Sequence, residues 1–144
     1  MLNNAIDLNR YRQQLVQHTR VQIPDFLQPG AAETLHRCLR DDIPFALAER
    51  SGGSSHTIDA ETYAAMDEAA RQALLYKAYA RAKSEFQFSY DSYMIVRAMK
   101  EGWAPNPLHT VLEFLNSAEF LIFARRLTGE PTVNRVSAQG TRYR

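Results

Sequence analysis

The sequence predicts an α+β fold in which helices dominate. Three observations carry that reading. Apolar residues recur at helical spacing in several segments, most clearly Leu108, Val111, Leu112 and Leu115 at i, i+3, i+4 and i+7. Only three or four short stretches alternate in the manner of strands. The two kinds of segment are intermixed, with no internal repeat or low-complexity tract. With 144 residues, 45% apolar and 23% charged, the chain reads as one domain, residues 1–144. A chain of this size buries about 68–70% of its unfolded surface, which is enough for a true core.

Along the chain, residues 4–18 suit a helix with Ile6, Tyr11 and Leu15 in its apolar stripe. Val21-Gln22-Ile23 is a short strand candidate before Pro24. Pro29 fits the first turn of a second helix, where its missing N–H is no loss. Ala32, Leu35 and Leu39 line that helix, and Pro44-Phe45-Ala46-Leu47-Ala48 reads as extended. Ser51-Gly52-Gly53-Ser54-Ser55 has the composition of a flexible loop. Asp59 can cap a long helix over 60–83, with Tyr63, Met66, Ala70, Leu74 and Ala78 on one face. Phe86-Gln87-Phe88-Ser89-Tyr90 alternates as a strand and can continue through Tyr93-Met94-Ile95-Val96. Asn106-Pro107 opens another helix. Ser117 caps the next, which sends Phe120, Phe123 and Leu127 toward the core until Gly129 and Pro131 stop it.

Seventeen basic residues against sixteen acidic ones leave a net charge of +1. That balance gives no support to nucleic acid or an anionic membrane as a partner. Cys38 is the single cysteine, so neither an internal disulfide nor a thiolate zinc cluster can form within the chain. The N-terminus lacks a signal-like pattern, and Phe120-Leu121-Ile122-Phe123-Ala124 is far too short to span a bilayer. The expected setting is cytoplasmic.

Several residue groups could carry chemistry, and each has a plainer reading. His109 and Glu113 are four apart on a helix and could face one metal, but without a third ligand a surface pair is the better expectation. His36 and Cys38 diverge on a helix. His56 and Asp59 have one residue too many between them for two ligands on one strand face, which leaves a loop and a helix cap. Ser51–Ser55 could cradle a phosphate, yet it lacks the lysine and spacing of a P-loop, so a flexible linker is preferred. No nucleophile-elbow pattern supports Ser-His-Asp catalysis. Phe86, Phe88, Tyr90 and Tyr93 could stack bases or form core; neutral charge favours core.

The final segment, Val133 to Arg144, alternates. Val136, Ala138 and Gly140 lie on one face, and Arg135, Ser137, Gln139, Thr141 and Tyr143 on the other. Either the polar face meets water, or it lines a concave site.

An ordered series of segments also resembles the N-terminal half of prolyl-4-hydroxylase-like iron(II)/2-oxoglutarate-dependent dioxygenases. The series is Phe86-Gln87-Phe88-Ser89-Tyr90-Asp91-Ser92-Tyr93, Pro107-Leu108, Glu113-Phe114-Leu115-Asn116-Ser117, Leu127-Thr128-Gly129 and Ala138-Gln139-Gly140-Thr141-Arg142-Tyr143-Arg144. The likeness is clearest over about residues 85–144, and Ile23-Pro24-Asp25-Phe26-Leu27 resembles the family's first strand and helix start. The resemblance implies a helix-rich layer packed on the first strands of an incomplete double-stranded β-helix, a jelly-roll-like barrel. It implies an oxidoreductase that uses Fe(II) and 2-oxoglutarate, optionally with ascorbate, to hydroxylate a protein or a small-molecule substrate. By position, Tyr143 matches a tyrosine that faces the 2-oxoglutarate pocket, and Gln139 would line the same cavity. In the family a Pro-Gly turn and a His-x-Asp pair come next, with a distant histidine completing the iron site. No residue here matches an iron ligand, so the chain alone is expected to be inactive and to bind neither cofactor. The alternative is a non-catalytic α+β interaction domain that pairs, or self-associates, through its C-terminal strand.

Overall fold

The computed structural model describes residues 1–143. Helix α1 spans Leu8–His18 and starts where the Asp7 carboxylate accepts the Arg10 N–H. It is shorter than expected because the first residues pair instead. Asn3 N–H donates to the Phe26 carbonyl at 3.0 Å and Gln28 N–H to the Met1 carbonyl at 2.9 Å, bridging Leu2 to Leu27. Val21-Gln22-Ile23 therefore forms no strand; the N-terminus takes the pairing expected there.

Helix α2, Pro29–Arg37, carries Pro29 in its first turn and runs into a single π-helical turn, Cys38–Asp42. Strands β1, Ala46–Ser51, and β2, Ser54–Ile58, follow. The expected loop at 51–55 is thus a tight hairpin turn. Gly52 and Gly53 hold φ of 57° and 80°, the left-handed values that a two-residue turn between twisted strands demands. His56 consequently sits on a strand and not in a loop.

The expected helix over 60–83 is two helices. Asp59 caps α3, Ala60–Ala65, and Asp67 caps α4, Glu68–Arg81, with Met66 extended between them. Strand β3, Ser89–Met94, is shorter than the alternation suggests. Ile95–Lys100 forms α5, and Phe86 lies outside the strand, 75% exposed and not in the core. Helices α6, Pro107–Leu115, and α7, Ala118–Thr128, start at the Asn106 and Ser117 caps, and α7 stops at Gly129 as read. The last strand, β4, covers only Gln139–Arg142. Residues 133–138 reach it without joining a ladder.

The sheet order is β2-β1-β3-β4, every neighbouring pair antiparallel. Cross-strand register puts Ile58, Leu47, Asp91 and Arg142 on one face and Thr57, Ala48 and Tyr90 on the other. The first face looks into the core. There Cys38, Phe45, Tyr93, Ile95, Leu108 and Leu112 pack together. Gly140 permits that packing on β4: a Cβ there would stand 3.1 Å from Leu108 Cδ1 and from Leu39 Cδ2. A second apolar cluster ties α7 to the 26–28 segment. Phe26 meets Phe123 at 5.7 Å and Phe120 at 6.3 Å between ring centroids, and Phe114 meets Phe120 at 5.5 Å. Phe120 and Phe123 are thus half-buried in a satellite cluster apart from the main core, and Leu127 is half-buried outside that core as well. No helix among the described residues is long and apolar enough to cross a membrane.

Candidate functional site

The second face of the sheet is the candidate site. Strand β1 gives it the small side chains Ala46 and Ala48, so a hollow is left between taller neighbours. The hollow is a recess of about 270 Å³ lined by Ala46, Ala48, Tyr90, Ser92, Met94 and Gln139 among others. Arg97 and Trp103 also line it. The partners Met94↔Gln139 and Ser92↔Thr141 set β4 alongside, so Gln139 and Thr141 share this face. Tyr143 follows in the same alternation. Four residue steps lead from Gln139 to Tyr143, a span of about 13 Å at Cα for extended chain.

Gln139 borders the recess, whereas Tyr143 stands at its margin. The Tyr143 ring lies 5.4 Å from Tyr90, Tyr90 lies 5.6 Å from Phe88, and Phe88 lies 6.3 Å from Phe86. A row of aromatic rings thus runs along the edge of the open face. Its ends are exposed: Phe86 is 75% and Tyr143 is 74% accessible. Such a row offers apolar contact with polar handles on the tyrosines.

Compared with protein-family models, with curated proteins and with solved structures, the chain finds no match. The site is accordingly read from its own side chains. Among the described residues no three His, Cys, Asp or Glu side chains gather as a metal ion would require. The side chains present therefore do not fit an iron centre of two imidazoles and a carboxylate.

The histidines are placed individually. His56 sits on β2 with Nε2 3.0 Å from the Ser51 carbonyl. His109 is buried, contrary to the surface position expected for it. Its Nε2 lies 3.0 Å from the Tyr93 hydroxyl, which also accepts from Asn106 Nδ2 at 2.8 Å. Glu113 is exposed and takes no part. Asn106 serves twice, because its Oδ1 caps α6 by accepting the Leu108 N–H.

Two polar devices escaped the sequence reading, one joining β3 to β4 and one joining the end of α6 to the segment before β4. Asp91 is buried, and Arg142 Nε and Nη2 both reach its Oδ2, at 2.8 and 2.7 Å. The same guanidinium lies 4.6 Å over the Phe45 ring. The available signal was an aspartate in mid-strand, where that residue is depleted unless something holds it. The second device is Asn116. Its amide donates to the Val136 carbonyl and accepts the Val136 N–H, both at 2.9 Å, in place of a neighbouring strand.

Two groups elsewhere in the molecule have shifted ionisation with local causes. The Asp59 carboxyl is held below the usual range first by the Thr62 N–H and then by the Thr62 hydroxyl. Burial pushes the Cys38 thiol up, and the Asp42 charge adds to the rise.

Proposed function

We propose that residues 1–144 form the N-terminal, helix-rich part of a 2-oxoglutarate- and iron(II)-dependent dioxygenase domain of the prolyl-4-hydroxylase-like kind. The open sheet face carries this reading. It bears Gln139 and Thr141, with Tyr143 in the same alternation, over a recess of about 270 Å³. In this reading the four strands are the first part of a double-stranded β-helix, and the outer edge of β4 receives the next strand. A phenol can donate to a carboxylate oxygen while its ring packs on a carbon chain, which is the role proposed for Tyr143. Gln139, with a donor and an acceptor, would orient a ligand in the recess. The iron ligands must come from residues other than those described, and the substrate is a protein side chain or a small molecule.

The test is direct. The reading frame past Arg144 should encode a Pro-Gly turn and a His-x-Asp pair. The longer polypeptide should convert 2-oxoglutarate to succinate, more slowly in Tyr143→Ala. Lack of the pair, or no succinate from the longer chain, removes the reading. A second reading rests on β4, which pairs with β3 alone among the described residues. An unpaired edge can add a strand from another chain, so a non-catalytic interaction domain is the rival.

A further inference from the structure

A recess of about 680 Å³ opens at the start of β1, beside the open face. Its walls are mostly apolar: Ile43, Phe45, Tyr63 and Trp103 contribute. Three arginines from three different elements also line it, Arg71 of α4, Arg97 of α5 and Arg142 of β4. Each is held differently. Arg142 is committed to Asp91. Arg71 donates through Nη2 to the carbonyls of Tyr63 and Ala64, at 3.2 and 3.0 Å, and lies 5.3 Å over the Tyr63 ring. Among the described residues no carboxylate bonds it, and its buried Nε has no hydrogen-bond partner. Arg97 pairs with Glu101 at 2.8 Å, but at the surface, with side chains 60% and 45% exposed.

The acids on the lining are Asp59 and Glu61. Asp59 is engaged by the Thr62 N–H and hydroxyl. Glu61 is exposed and remains as a competitor.

We propose that this recess binds an organic carboxylate with an apolar, ring-sized body. Arg71 and Arg97 receive the carboxylate, and Phe45, Tyr63 and Trp103 enclose the body. A guanidinium presents its donors in a plane that matches a carboxylate. An exposed pair such as Arg97–Glu101 contributes little, so Arg97 can exchange Glu101 for a ligand at small cost. Attraction to that ligand grows where the recess walls exclude water. The volume falls within the roughly 300–1,000 Å³ usual for small-molecule sites. The inference is independent of the dioxygenase reading, because binding here requires no metal and no further strand.

Trp103 is the chain's single tryptophan and lines both this recess and the one on the open face, so its fluorescence reports occupancy. Gln139→Ala, which alters only the open-face recess, should leave the midpoint unchanged if the ligand sits here. The chain is titrated with phenylacetate and, in parallel, with the uncharged phenylacetamide. Phenylacetate should give a saturable change with a midpoint of about 1 mM. Phenylacetamide should bind at least about tenfold more weakly. Arg97→Gln, a change at an exposed position, should shift the phenylacetate midpoint by about tenfold. The midpoint is read rather than the amplitude, because Glu101 also accepts from the Trp103 indole N–H. Arg71→Gln should shift it likewise where circular dichroism shows the variant folded; otherwise Arg97→Gln decides alone. Equal midpoints for acid and amide, an unchanged midpoint in Arg97→Gln, or no saturation by about 50 mM overturns the proposal.

Discussion

A buried imidazole needs partners, and His109 takes one from the Tyr93 hydroxyl. Removing the ring leaves that hydroxyl to Asn106 alone and opens space beside Leu108 and Tyr93. His109→Ala should therefore cost about 1–3 kcal/mol in urea unfolding, approaching the lower end of a core truncation such as Leu112→Ala. A variant as stable as the wild type would mean that the Tyr93–His109 contact is not held in solution. Asp59 supplies a second single-residue expectation. Its folded pKa is depressed, so the stabilisation from its ionised cap is present above the unfolded-state value and is lost as pH falls through the folded one. Asp59→Ala should lower Tm clearly at about pH 7 and much less at about pH 2. Equal losses at both pH values would show that the charge is irrelevant to the cap. At this scale the sequence was legible where a residue acts on its own neighbourhood, as Asp59, Asn106 and Ser117 do. It was opaque where partners lie far along the chain. Nothing near Asp91 points to Arg142, and nothing near His109 points to Tyr93.

Among the elements, the β1–β2 hairpin depends on backbone values that few side chains accept. Gly53 has φ of 80°. Gly53→Val should destabilise by about 1–2 kcal/mol, with chemical-shift changes concentrated in β1 and β2. A neutral outcome would mean that the turn is not held in this form. The sequence hid this hairpin for a physical reason. Strand β2 is exposed along four of its five residues, so it carries no apolar alternation, and two glycines among serines resemble a linker. The division of α3 from α4 was hidden differently. Tyr63, Met66, Ala70, Leu74 and Ala78 keep helical phase across the break, so periodicity cannot detect it. The clue was Asp67-Glu68, a second cap with an acidic first turn. Helices α2, α6 and α7 were legible because their ends are marked by Pro29, Asn106-Pro107, Ser117 and Gly129. The open face was legible only as an alternation from Gln139 to Tyr143; the ladder with β3 supplies its depth.

For the whole molecule, the C-terminal strand is both an edge and a fastening. Its outer side lacks a ladder among the described residues, which favours association of copies through it. Light scattering should show mass rising with concentration; a strictly monomeric chain would argue against a free edge. Removing 133–144 would also reach the helices. The structure ties that segment to them through Asn116–Val136, and Gly140 packs on Leu108 and Leu39. The deletion should therefore lower Tm as well as reduce association, and an unchanged melt would show the fastening to be dispensable. The π-helical turn has a consequence of another kind. It carries the chain's single thiol, Cys38, which is 1% exposed, with burial pushing its pKa up. Alkylation requires an accessible thiolate, so the native molecule should be nearly inert to iodoacetamide. Modification would proceed only through openings that breach the core between α2, α6 and β4. The labelling half-life then clocks how often that core comes apart, and ligands or variants that close it should lengthen the interval without any change in the reagent's own chemistry.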